Sequence, residues 1–246
     1  MVFNKKNWIT FYMTADYPNR DRFVEVLDIL VEQGMDVLEL GIPVENPVLD
    51  GVLVRETHRK VLNQGFNGTT LSALLQLIRN RHVTLKVVVM SYEAGVKKYD
   101  LLKASSLYDA LLCPDAFYSE NGETTALVQM YNTQMSDQEI DLRLNNNSFF
   151  AYVMSYVGVT GSLSHECDDD YGLLIEKLQQ RTDIPIQVGF GIKTPSQVST
   201  LFKRGADGAI IGSELIKIID ENNDEKLRNY VSAICSEKRY PIKREA

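Results

Sequence analysis

Leu38-Glu39-Leu40-Gly41-Ile42-Pro43-Val44-Glu45-Asn46-Pro47-Val48-Leu49-Asp50-Gly51 is the stretch on which the reading of this chain turns. An apolar run over residues 35–40 carries an acid, Glu39, near its end. A loop stiffened by Pro43 and Pro47 then delivers a second, Asp50, just before a predicted helix. In parallel α/β proteins ligands meet the C-terminal ends of strands and the loops that follow. The pattern therefore sets Glu39 and Asp50 to act on one substrate from different sides. Each acid also has a plainer reading: Glu39 as a satisfied buried carboxyl, and Asp50 as an N-cap for the helix opening at Gly51.

On either side of this stretch strands and helices alternate. Residues 8–13 are β-branched and aromatic and read as a first strand. Phe23, Val24, Val26, Leu27, Leu30 and Val31 recur at helical spacing, with Gly34 as the stop. Beyond Asp50 a helix holds Val52, Val54, His58, Val61 and Leu62 and stops at Gly65, with His58 assigned to its surface. A helix over 71–81, capped by Thr69, Thr70 or a nearby polar residue, precedes an almost wholly apolar strand over 84–90, as expected of strands buried on both faces. Residues 92–106 hold one brief helix, and 108–113 form the fourth strand. Only about a dozen residues separate it from the fifth at 126–131, close to the minimum for a parallel crossover, so the fourth helix is expected to be vestigial or replaced by a loop. Ser136 and Glu139 stand at capping-box spacing and open the next helix. Strands over 149–155, 184–188 and 209–211 alternate with helices over 171–180 and 195–203, and helices over 215–219 and 225–234 close the chain. Gln33-Gly34-Met35-Asp36 before one strand echoes Arg204-Gly205-Ala206-Asp207 before another. About eight strand–helix units in this length indicate a single TIM-type (β/α)8 barrel over 1–246 with a reduced fourth unit; a doubly wound open sheet is the alternative.

The 246 residues are 44% hydrophobic, and 26 basic against 33 acidic residues leave a formal charge of -7. This balance argues against a broad nucleic-acid or membrane surface but permits a small anion held by backbone N–H groups. Cys113, Cys167 and Cys235 form no Cys-x-x-Cys pair, and His58, His82 and His165 share no ligand spacing, so neither disulfide framework nor metal site is indicated. The first residues lack the apolar core of a signal peptide, and no apolar run reaches the ~20 residues of a membrane span. A cytoplasmic protein is expected.

Three glycine-bearing loops follow the last three predicted strands: Gly158-Val159-Thr160-Gly161, Gly189-Phe190-Gly191-Ile192 and Gly212-Ser213. Glycine lets backbone N–H groups approach a ligand, and Ser213 starts a short helix whose N–H end faces an anion. Together they point to a phosphate monoester site, against the plainer reading of strand-end turns that need positive φ.

Glu-Leu-Gly-Ile-Pro, followed by Asn-Pro and Asp-Gly at this spacing, resembles the active-site segment of the tryptophan synthase alpha subunit family. Residues 152–161 (Tyr-x-x-Ser-x-x-Gly-Val-Thr-Gly), 188–192 (Val-Gly-Phe-Gly-Ile) and 205–213 (Gly-Ala-Asp-Gly-Ala-Ile-Ile-Gly-Ser) repeat other segments of that family. The resemblance implies a cytoplasmic lyase of tryptophan biosynthesis that splits indole-3-glycerol phosphate into indole and glyceraldehyde 3-phosphate. By the same resemblance, N–H groups of Gly161, Gly191, Gly212 and Ser213 hold the phosphate. Tyr12, Tyr92, Leu112, Tyr152, Thr160 and Phe190 line the substrate site, with Tyr12, Tyr92, Leu112, Tyr152 and Phe190 around the indole. No cofactor is expected in this chain; pyridoxal phosphate belongs to a partner beta subunit in an alpha-beta-beta-alpha complex. The chain departs from the family at Val44, Glu45 and Asn46, in a shortened N-terminus, at Tyr92-Glu93-Ala94-Gly95, and in the connection after Asp115. These loops face the beta subunit in the family.

The retro-aldol reaction requires an acid for indole C3, a base for the C3′ hydroxyl, and stabilisation of positive charge on the indole nitrogen. Two carboxylates supply all three. By the resemblance Glu39 shuttles the proton while Asp50 stays ionised and accepts the indole N–H. Asp115 either orients a nearby loop or stabilises its own turn. Two other functions stay open: a weakly catalytic or noncatalytic phosphate-binding regulator of a synthase, and a sugar-phosphate aldolase or isomerase, for which Lys86 is the candidate Schiff-base lysine.

Overall fold

A computed structural model describes residues 7–121, 123–154 and 170–239. Eight parallel strands close into a barrel in sequence order: β1 (Trp8–Thr14), β2 (Val37–Gly41), β3 (Lys86–Met90), β4 (Ala110–Leu112), β5 (Ala126–Tyr131), β6 (Ala151–Met154), β7 (Ile186–Gly189) and β8 (Gly208–Ile211). The pairing of β1 with β8, Trp8 opposite Gly208 and Phe11 opposite Ile211, closes the ring and excludes the open sheet. Every residue of β1, β2, β4, β7 and β8 is buried, as strands with a helix layer outside and a packed interior must be.

The helices form the outer layer, and most have caps written in the sequence. Asn19 caps α1 (Arg20–Glu32) by accepting the Arg22 N–H. Gly51 is the N-cap residue of α2 (Val52–Asn63), so Asp50 stands one position ahead of the cap. The cap of α3 (Gly68–Arg81) is Asn67, with Thr70 completing the capping box. After α4 (Glu93–Tyr99), reciprocal boxes open α5 (Asp137–Leu144) from Ser136 and Glu139, and α7 (Pro195–Lys203) from Thr194 and Gln197. Between them lies α6 (Asp170–Gln179); α8 (Ser213–Asp220) and α9 (Asp224–Ser236) follow β8.

No helix lies between β4 and β5 among the described residues. Side chains hold the connection instead. The Glu120 Oε1 atom accepts from the Leu127 N–H (2.7 Å) and the Ser148 hydroxyl (2.6 Å), and Gln129 Nε2 donates to the carbonyls of Tyr118 and Asn146.

The echo around Asp36 and Asp207 is a shared structural device. Gly34 and Gly205 both take positive φ (100° and 91°), Met35 and Ala206 both turn into the core, and each aspartate bonds the neighbouring strand. Asp36 accepts from the Ile9 N–H (2.8 Å) and Asp207 from the Ile186 N–H (3.0 Å). Asp109, before β4, does the same with the Val87 N–H at 2.7 Å. Aspartates thus latch β1 to β2, β3 to β4 and β7 to β8 at the N-terminal end of the barrel.

Candidate active site

The opposite, C-terminal end opens into a cavity of about 670 Å³, a volume that includes its open solvent mouth. Tyr12 from β1, Glu39 from β2, Leu112 from β4 and Tyr152 from β6 line it. Asp50, Tyr92, Phe190, Gly191, Gly212 and Ser213 enter from the loops and helix ends above these strands. The cavity thus brings together Glu39, Asp50 and the described residues named for the phosphate and the indole; Thr160 and Gly161 lie outside the described residues, as do His165 and Cys167.

Glu39 and Asp50 are each 3% exposed. Burial, with the Asp50 carboxylate nearby as a smaller cause, pushes the Glu39 carboxyl up from its ordinary 4.5 to about 8. Its Oε2 atom is buried with no hydrogen-bond partner among the described residues. Tyr92 helps to place Asp50: its hydroxyl accepts from the Leu49 N–H (3.1 Å) and bonds Asp50. Desolvation and the same carboxylate push the Tyr92 phenol upward, keeping it a donor. Tyr92 is itself the N-cap residue of α4, whose first amide, that of Glu93, donates to Asp115 at 2.8 Å. Asp115 thus joins the connection after β4 to the start of α4.

Aromatic rings wall the space between the acids and the glycine loops. Tyr152 meets Phe190 edge to face, centroids 5.9 Å apart. Gly41 and Gly189 admit the rings, because a Cβ on either would stand 2.2 Å from the hydroxyl of Tyr12 or Tyr152. Phe190 and Gly191 are consecutive residues of positive φ (73° and 75°). For phenylalanine this is a strained conformation costing on the order of 1–3 kcal/mol, the kind of cost that concentrates at functional sites. Beside them Gly212 precedes α8 with no side-chain cap, so the first N–H groups of that helix are left to a ligand or solvent.

His58 is 1% exposed, so its assignment to the surface is corrected. Val54, Thr57, His58 and Val61 form the buried stripe of α2. His58 Nδ1 accepts from the Val44 N–H (3.3 Å), its Nε2 lies 3.1 Å from the Tyr12 hydroxyl, and burial pushes its pKa down to about 4. The sequence reading also missed Met90, Met130 and Ile210, which line the cavity. They sit on strands beside the named residues, and strand alternation was the only signal they carried.

Lys86 begins β3 at the opposite end, with its Nζ over the rings of Trp8 (5.7 Å) and Phe149 (6.0 Å). That placement removes it from the cavity and from any Schiff-base role there. Among the described residues no group of three or more His, Cys, Asp or Glu side chains is arranged to hold a metal ion, and no helix is long and apolar enough to cross a membrane.

A sequence model of the tryptophan synthase alpha chain family matches residues 2–243. The tryptophan synthase alpha chain of Prochlorococcus marinus is 30% identical over 244 residues, covering 93% of this chain and 86% of the relative. That of Petrotoga mobilis is also 30% identical over 244 residues, covering 92% and 91%. Among solved structures, tryptophan synthase of Mycobacterium tuberculosis superposes with a TM-score of 0.83 at 23% identity, covering 97% of this chain and 95% of that one. The complex from Pyrococcus furiosus gives 0.79 at 24%, covering 94% and 98%. The structural likenesses establish the barrel, and the family match over nearly its whole length establishes descent: the chain belongs to the tryptophan synthase alpha chain family.

Proposed function

We propose that this chain cleaves indole-3-glycerol phosphate to indole and glyceraldehyde 3-phosphate. The observation that carries the reading is the pair of buried carboxyls, Glu39 and Asp50, facing one apolar, aromatic-walled cavity that also contains a helix N-terminus. Glu39, held protonated at neutral pH by its surroundings, gives its proton to indole C3. The Asp50 carboxylate accepts the indole N–H and offsets the positive charge that then develops on nitrogen. The resulting Glu39 carboxylate takes the C3′ hydroxyl proton as the C3–C3′ bond breaks. The electrons of that bond return to the indole ring, the C3′ oxygen becomes the aldehyde, and Glu39 ends protonated. N–H groups at Gly191, Gly212 and Ser213, with Gly161, serve the phosphate, while Tyr12, Tyr92, Leu112, Tyr152, Thr160 and Phe190 enclose the substrate.

Family membership supports a beta subunit as the partner at the mouth of the barrel, in an alpha-beta-beta-alpha assembly whose pyridoxal phosphate is carried by the beta subunit. Indole release by the pure chain, with and without a cognate beta subunit and serine, tests the proposal. Glu39→Gln and Asp50→Asn are each expected to lower kcat by roughly 10²–10⁴-fold. In the wild-type chain kcat/KM is expected to fall above about pH 8, where Glu39 loses its proton. Binding of a glycerol phosphate analogue without any indole release would replace the lyase with a phosphate-binding regulator of the beta subunit.

A further inference from the structure

The hydrogen bonds around Tyr12 have a direction fixed independently from both ends. At one end the Val44 N–H is a donor only, so His58 Nδ1 must accept, and the ring proton of the neutral imidazole sits on Nε2 and points at the Tyr12 hydroxyl. At the other end the Thr57 hydroxyl donates to the Val54 carbonyl (2.7 Å), so its oxygen accepts from Thr14 (2.6 Å). Thr14 therefore accepts from Tyr12 (3.2 Å), and Tyr12 accepts from His58. Both ends require the same arrangement, in which every hydrogen is committed. Thr14, Thr57 and His58 are each at most 1% exposed, which makes a broken link in this chain costly.

From this chain we infer that His58 is a positioning residue: it ties the Tyr12 wall of the cavity to the loop over residues 42–50 that ends in Asp50. Tyr12 spends its hydroxyl hydrogen on Thr14 and presents its ring, not a proton, to the ligand. Beyond the backbone bond of the Ile42 N–H to the Met90 carbonyl (2.8 Å), side chains hold two amides of the loop, Val44 on His58 and Leu49 on Tyr92, and Tyr92 also bonds Asp50. Releasing the first lets the loop, and with it Asp50, drift from the indole nitrogen. The kinetic consequence rests on the lyase reading above; the structural coupling does not.

The test uses the full chain as wild type, His58→Gln and His58→Leu. Glutamine can accept from Val44 and donate to Tyr12, whereas leucine does neither. Ring nitrogen NMR of His58 is expected to show the proton on Nε2. The amides of Val44 and Leu49 are expected to exchange at least about tenfold faster in His58→Leu, and near the wild-type rate in His58→Gln. Indole release is expected to lose about 10- to 100-fold in kcat in the leucine variant with a smaller change in KM, and to recover with glutamine. A purely structural His58 would lower the melting temperature while leaving kcat and the Leu49 amide unmoved. That result, or a proton on Nδ1, overturns the inference. If the wild-type chain releases no indole, the lyase reading falls and the tautomer and exchange measurements still decide this one. If His58→Leu does not fold, Tyr12→Phe, which removes the hydroxyl alone, is expected to speed Val44 exchange, and an unchanged rate overturns the coupling.

Discussion

Two buried side chains, Glu39 in the cavity and His58 behind its Tyr12 wall, pull stability in opposite directions with pH. The folded chain keeps the Glu39 proton up to about pH 8, whereas the unfolded chain gives it up near 4.5, so this residue's contribution falls as pH rises between those values. His58 stays neutral in the folded chain down to about pH 4 but charges near 6.5 when unfolded, so its contribution falls as pH drops through that window. Between about pH 4.5 and 6.5 the two slopes cancel, and between 6.5 and 8 the Glu39 loss stands alone, worth roughly 2 kcal/mol by its end. Denaturant unfolding of the wild type and Glu39→Gln at pH 6.5 and 8.5 checks this: the variant is expected to gain on the wild type at the higher pH, and an equal gap at both would show that Glu39 does not titrate this way. The acids were legible in the sequence because charge inside an apolar run is conspicuous. His58 was misplaced although Val54, Thr57, His58 and Val61 stand at i, i+3, i+4 and i+7, the spacing of a buried stripe. Two of those four are polar, and polarity concealed the periodicity; their partners, Tyr12 and Thr14, are more than forty residues away in the chain.

At the level of elements, the short α4 depends on a neighbour. Its N-cap residue is Tyr92, which provides no capping side chain, and the missing acceptor comes from Asp115 after β4. Asp115→Ala is expected to cost about 0.5–1 kcal/mol, since the bond is exposed, and to lower kcat through Tyr92 and Asp50. Denaturant midpoints and indole release measured together check both effects; loss of stability with kcat intact would confine Asp115 to its turn. The alternation of strands and helices, and the missing helix after β4, were legible because chain length limits what a crossover can contain. Which side chains fill the gap was not: Glu120 reaches the starts of both β5 and β6, and no local pattern encodes a carboxylate that bonds two other segments.

Across the whole molecule, stability and chemistry sit at opposite ends of the barrel. The aspartate latches belong to the first. Asp207→Ala is expected to cost about 1–3 kcal/mol and to leave the kcat of the folded protein unchanged, as thermal unfolding and indole release in parallel would show. A fall in kcat at full folding would mean that the two ends communicate. The latch at Asp36 and Asp207 was visible beforehand only as a faint internal echo, because its meaning lies in the adjoining strand. The same floor carries the Lys86 ammonium over the rings of Trp8 and Phe149. With a cation seated on aromatic faces in that floor, the described cavity has its mouth at the C-terminal end, and a partner bound there as proposed would stand across the path of small molecules.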